Sequence, residues 1–276
     1  MIKRILFALV GIPVLLAIFY LLPPIWMPIM FSVLSMLALY EALQSTGFLK
    51  HVRITIYSVV FAGLLPFWAY FGANEKLLLC GIFLYVFIVF CEALASKYEI
   101  TLEKIGGAFF FVLVIPYFLS AFIRIKEQNG ELGVYYILLP LVAAFCSDTF
   151  AYFTGLAIGK HKLAPALSPK KTVEGSVGGL LGATICCCIY GVVMQFVFHL
   201  EVNYVALVLY GAIGSVVSQI GDLSFSYIKR QYGLKDYGNI FPGHGGVLDR
   251  FDSVIFCAPL IEILIWLVPS FTGVIL

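Results

Sequence analysis

Charge is scarce in this sequence. Asp, Glu, Lys and Arg make up 12% of its 276 residues, against roughly 25% in a soluble domain, while 62% are hydrophobic. Such a chain has too few polar side chains to clothe a water-facing surface. It also lacks any CxxC pair. The seven cysteines, Cys80, Cys91, Cys146, Cys186, Cys187, Cys188 and Cys257, lie inside or at the ends of apolar runs and read as small packing residues rather than metal or redox ligands. No HExxH, GxSxG or GxxxxGK[ST] occurs, so a zinc protease, a nucleophile-elbow hydrolase and a P-loop enzyme find no support. Low-complexity tracts and a soluble domain are absent as well.

Apolar runs are abundant. A hydrocarbon core of about 30 Å needs about 20 residues of helix, and nearly the whole chain divides into such runs. Nine are expected: Ile5 to Leu22, Ile25 to Ala42, Ile54 to Phe71, Leu77 to Ala95, Ile105 to Ile123, Val134 to Ile158, Val173 to Phe198, Tyr204 to Phe225 and Ser253 to Phe271. The first follows Lys3 and Arg4 in the manner of a signal peptide, but no small-x-small cleavage site comes after it, so it is expected to be a retained helix. With nine spans, all 17 Lys and Arg except Lys76, Arg124 and Lys126 fall on one side. The bias of basic residues toward the cytoplasm then predicts a cytoplasmic N-terminus and an external C-terminus. The expected fold is an all-α polytopic integral membrane protein.

The two halves differ. Residues 1–130 form plain spans that read as scaffold, with Glu41 and Glu92 near cytoplasmic ends; residues 131–276 concentrate carboxylates, glycines and the two longest loops, 159–172 and 226–252, both cytoplasmic. Gly175, Gly178, Gly179 and Gly182 in one span, and Gly211, Gly214, Ser215 and Ser218 in the next, suit close helix packing in lipid better than a phosphate cradle.

Ionisable residues inside spans are costly and call for an explanation. Asp148 and Asp222 are two such residues, each open to a structural reading as a carboxylate satisfied by neighbours or a functional one. The loop "GKHKLAPALSPKKTVEG" brings Lys170 and Lys171 with Ser168, Thr172 and Glu174 to a helix N-terminus, a place that favours anions such as phosphate. "SYIKRQYGLKDYGNIFPGHGGVLDRFD", Ser226 to Asp252, adds Lys229, Arg230, Lys235 and Arg250 as phosphate partners and Asp236, Asp249 and Asp252 as hard oxygen donors. Asp249 and Asp252 share a face if a helix begins at Leu248, and two adjacent carboxylates are most simply reconciled by a cation. Magnesium with basic residues at a cytoplasmic membrane face is equipment for phosphoryl or nucleotidyl transfer.

Those residues resemble the signature of the phosphatidate cytidylyltransferase, or CDP-diacylglycerol synthase, family. Ser226, Lys229, Arg230, Lys235, Asp236, Gly238, Phe241, Pro242, His244, Gly245, Gly246, Asp249, Arg250, Phe251 and Asp252 meet every element of that pattern. "SDTFAYFTG", the lysine-rich loop and "IGDL" resemble its other blocks, so the resemblance is strong from Val134 to Asp252. It implies that CTP and phosphatidate give CDP-diacylglycerol and pyrophosphate for phospholipid synthesis. It also implies magnesium dependence, with a second, monovalent cation left open, at the cytoplasmic face of a bacterial-type inner membrane. A homodimer is compatible; a nucleic-acid partner is not expected. Asp222 and Asp249 are expected to bind the metal, with Asp148 and Asp252 as further ligands or supports. Lys170, Lys171, Lys229, Arg230, Lys235 and Arg250 share the substrates' negative charges, and Ser168, Thr172, Glu174, Gly245 and Gly246 belong to the substrate loops. His244 either meets phosphate, assists proton transfer or orders the turn. The rival readings are a CTP-dependent lipid or polyprenol kinase, which would release CDP, and an ion-coupled transporter, which would carry charges through the membrane depth.

Overall fold

A computed structural model describes residues 11, 13–97, 99–238, 240 and 245–274. His244 lies outside the described residues, as do Phe241, Pro242 and residues 5–10 and 12 of the first apolar run. In lipid every backbone N–H and C=O must be satisfied within the protein, and the helix does this locally. Among the described residues, seven helical stretches are long and apolar enough to cross a membrane: Trp26–Ser45, Val52–Tyr70, Glu75–Ala95, Leu102–Gln128, Gly130–Ile158, Val173–Phe198 and Tyr204–Gln231. The protein is thus an all-α polytopic membrane protein.

The helices are α1 (residues 13–20), α2 (Trp26–Ser45), α3 (Val52–Tyr70), α4 (Glu75–Ala95), α5 (Leu102–Leu119), α6 (Ala121–Gln128), α7 (Gly133–Tyr136), α8 (Leu139–Ile158), α9 (Val173–Phe198), α10 (Tyr204–Gln231) and α11 (Leu248–Leu267). Helix α11 corresponds to the ninth apolar run. Asp249, Arg250, Asp252 and Glu262 make it the most charged of the long helices, and it is not among the seven.

Two local differences from the sequence reading matter for the site. Helix α10 continues past Phe225 to Gln231, so Ser226, Lys229 and Arg230 stand on a helix rather than in a loop. The loop 159–172 contains an antiparallel ribbon, β1 (Lys162–Ala164) with β2 (Ser168–Thr172). Its turn follows from Pro165, whose fixed φ suits the second position of a β-turn, and Leu167 N donates to Ala164 O at 3.2 Å. A second ribbon pairs β3 (Leu200–Val202) with β4 (Phe271–Val274).

The chain forms two compact units. One holds the chain through Gln128 together with Asp236–Arg250; the other holds Asn129–Lys235 and the chain from Phe251 onward. In the first unit α2, α3 and α5 pack on one another. Phe31 and Phe122 stack with ring centroids 5.0 Å apart beside Phe19. The Ser58 and Tyr85 hydroxyls, 2.8 Å apart, tie α3 to α4, which otherwise buries only Val89.

In the second unit α9 packs against both α8 and α10, and the small residues of the sequence line that contact. A Cβ at Gly182 would run into Phe150, and one at Gly211 into the backbone of Thr184, so helix packing is their role. Asn203 caps α10 by accepting from Val205 N and Ala206 N. Tyr136 Oη donates to Phe271 O and accepts from Phe271 N, both at 2.8 Å, securing β4.

Candidate active site

The second unit gathers charge where three helices and one ribbon meet. Asp148 comes from α8, Asp222 from α10, Asp252 from α11, Lys171 from β2 and Lys229 from α10. Three carboxylates among mostly apolar helices repel one another, and the two ammonium groups offset part of that cost. Lys171 Nζ lies 2.6 Å from Asp222 Oδ2, an ion pair whose side chains are each 25% exposed. Ser226 Oγ, one helical turn on from Asp222, donates to its Oδ1 at 3.3 Å. Asp148 Oδ2 accepts from Ser253 Oγ at 3.0 Å, and Asp252 Oδ1 accepts from Ser253 N at 2.9 Å. Asp252 is buried, and Asp148, Asp222 and Lys229 all act on it electrostatically. As formal charges, the cluster keeps one carboxylate in excess.

Lys171 is placed by the ribbon and by the helix that follows. Thr172 Oγ1 caps α9 by accepting from Gly175 N at 3.1 Å. Glu174 closes the ribbon, accepting from Lys160 N at 3.1 Å and from His161 N at 3.2 Å, with His161 Nδ1 at 2.6 Å. Arg230 Nε donates to Leu167 O at 3.2 Å and Nη1 to Leu234 O at 2.8 Å, pinning the ribbon's turn to the end of α10. Thr172, Glu174 and Arg230, expected at substrate, therefore already have structural partners. Ser168 is half-buried on β2, Lys170 and Lys235 are exposed, and Lys229 is 9% exposed.

In the first unit the signature's other end is organised by backbone donors. Asp249 Oδ2 accepts from Tyr237 N at 2.8 Å and from Gly246 N at 3.0 Å. Gly245 takes the left-handed conformation, φ +80°, and Gly246 is buried. Arg250 is exposed.

Two groups escaped the sequence reading. Gln219 knits α8, α9 and α10 together: its Nε2 donates to Ser215 Oγ at 3.1 Å and to Ser176 O at 3.2 Å, its Oε1 accepts from Ser176 Oγ, and Ser147 and Ser215 hydroxyls lie 2.7 Å apart. Glu41 of α2, 2% exposed, accepts from Val247 N at 3.0 Å and Leu248 N at 2.9 Å. An acid within an apolar span was the available signal for Glu41, and the same test that singled out Asp148 finds it.

Among the described residues no three His, Cys, Asp or Glu side chains converge on a ready-made metal cage. Magnesium does not require one. It retains waters and takes one or two carboxylates together with substrate phosphates. The all-oxygen donor set of Asp148, Asp222 and Asp252 fits that ion and not a thiolate- or imidazole-seeking metal.

With this geometry in view, the chain belongs to the cytidylyltransferase family, whose profile matches residues 2–268. It is similar to proteins named phosphatidate cytidylyltransferase. The one from Staphylococcus haemolyticus is 47% identical over 133 residues, 48% of this chain and 50% of that protein. The one from Staphylococcus epidermidis is 40% identical over 185 residues, 67% of this chain and 68% of that protein. The one from Bacillus subtilis is 38% identical over 180 residues, 65% of each. The matched segments thus span from half to about two thirds of these relatives.

Proposed function

We propose that the protein transfers the cytidylyl group of CTP to phosphatidate, giving CDP-diacylglycerol and pyrophosphate. The observation that carries this reading is the cluster of Asp148, Asp222, Asp252, Lys171 and Lys229 within a chain of the cytidylyltransferase family. A phosphatidate phosphate oxygen attacks the α-phosphorus of CTP. The bond from that phosphorus to the bridging oxygen of the β-phosphate breaks, and pyrophosphate leaves with the electron pair. The nucleophile belongs to the substrate, so no enzyme-bound covalent intermediate is needed.

Asp222 is the principal magnesium ligand in this reading, with Asp148 and Asp252 supporting; Asp249 is assigned to the ion by the family resemblance alone. Bound magnesium would neutralise phosphate charge and orient the leaving pyrophosphate. Lys171 holds Asp222 in place before substrate arrives, and its ammonium group would exchange that partner for a phosphate when substrate binds. Lys229 balances Asp252. Exposed Lys170, Lys235 and Arg250 attract the nucleotide. Nine spans, a cytoplasmic N-terminus, an external C-terminus and an active site facing the cytoplasm complete the reading, since CTP is a cytosolic solute. A homodimer is compatible with it, and no nucleic acid takes part.

The test is product analysis. Purified protein in detergent, given CTP and dioleoyl phosphatidate, is expected to release pyrophosphate only when magnesium is present. Release of CDP instead would establish a kinase. Release of neither from folded protein would favour the transporter.

A further inference from the structure

Glu41 is a buried acid with no part in the reaction described above. A carboxylate that is 2% exposed inside an apolar helix is costly unless its charge is met by donors. Here each oxygen takes one backbone N–H, Oε1 from Val247 and Oε2 from Leu248. These amides belong to the first residue of α11 and the one before it, where N–H groups have no partner within the helix and the backbone dipole favours a negative charge. The next amide upstream, Gly246 N, goes to Asp249 Oδ2. Three consecutive N–H groups are thus divided between two carboxylates, one supplied by the signature itself and one by α2.

The glycines of the signature record the same contact. A Cβ at Gly238 would lie 2.5 Å from Glu41 Oε1, and one at Gly246 would come closer still to Oε2. Neither glycine is at positive φ, so the missing side chain makes room for this carboxylate rather than for an unusual backbone.

We propose that Glu41 is a positioning residue for cytidylyl transfer: from α2 it anchors the backbone of Val247 and Leu248 and thereby sets where Asp249 and Arg250 are presented. The proposal rests on the functional reading above. Its anchoring step is nonetheless measurable without catalysis. Glutamine at this position offers one acceptor and one N–H₂, so one backbone N–H would face a donor. Alanine would leave both amides without their acceptors and would open space beside Gly246.

Glu41→Gln and Glu41→Ala, with Gly246→Ala in each background, test it in purified full-length protein. Hydrogen exchange at the Val247 and Leu248 amides is expected to quicken at least tenfold in both Glu41 variants. The rate of CDP-diacylglycerol formation is expected to fall at least tenfold in kcat per folded molecule, with Glu41→Asp recovering part of it. Gly246→Ala is expected to cost much in the parent and little more in Glu41→Ala, where the clashing carboxylate is gone. A purely structural Glu41 would lower the melting temperature and leave kcat per folded molecule at the parent value, which overturns the proposal. Unchanged amide exchange, or an equal cost of Gly246→Ala in both backgrounds, overturns it too. Should the parent form no CDP-diacylglycerol, the functional reading fails by itself, and amide exchange with the glycine cycle still decides the anchor.

Discussion

Lys171 Nζ and Asp222 Oδ2 stand 2.6 Å apart, joining a strand of the ribbon before α9 to the polar end of α10. The pair places an ammonium group beside the acid proposed to hold magnesium. It also explains why two stretches some 50 residues apart in sequence both carry charge in so apolar a chain.

Removing one partner should be costly. Lys171→Met leaves Asp222 without its counterion, and we expect kcat/KM for CTP to fall by about 100-fold, equivalent to about 2.7 kcal/mol. Asp222→Asn should fall at least as far. The double variant should lose much less than the product of the two, as contacting residues do. Steady-state kinetics on the three variants checks this.

Gln219 makes a different prediction. Its bonds to Ser176 and Ser215 help hold α9 and α10 together, and a leucine would remove them, leaving the half-buried Ser176 hydroxyl without the Gln219 acceptor. Gln219→Leu should destabilise the protein by about 1–3 kcal/mol, seen as a lower melting temperature in detergent.

Asn203 caps α10 far from the charged cluster in sequence, accepting from Val205 N at 3.1 Å and Ala206 N at 3.3 Å. Asn203→Ala should cost about 1 kcal/mol of stability and leave kcat of the folded enzyme unchanged. Thermal melting with an assay at low temperature separates the two.

His51 gives a pH dependence. It lies between α2 and α3, and burial, together with Lys104 whose Nζ is 2.7 Å from its Nε2, holds its pKa below the ordinary 6.5. Near and below pH 6.5 the unfolded chain therefore binds more protons at this site than the folded one does. The contribution of neutral His51 is fully present above that pH and is lost as pH falls through 6.5 toward the lowered folded value. His51→Gln should flatten this part of the stability curve, measured by melting from pH 7.5 to 5.5.

Much of this was legible in the sequence, for physical reasons. Helix α9 begins at Val173 and ends at Phe198 as expected, because apolar content between a Thr cap and a polar turn marks both ends. Asp148 and Asp222 stood out because charge within a span is expensive. The ribbon at 162–172 did not, since its strands are three and five residues long and alternate too little to announce themselves. The extension of α10 through Lys229 and Arg230 was hidden by the end of its apolar run at Phe225. Glu41 was visible as an acid, but its partners are backbone amides more than 200 positions away, and hydropathy carries no record of backbone hydrogen bonds.

The most direct measurement follows the label from CTP marked at the α-phosphate, with phosphatidate and magnesium, in the parent protein and in Asp222→Asn. The account predicts label in the lipid fraction for the parent and at least a 100-fold slower appearance for the variant. Label remaining in nucleotide with folded parent protein would contradict the proposed reaction, and equal rates in the two proteins would remove Asp222 from its centre.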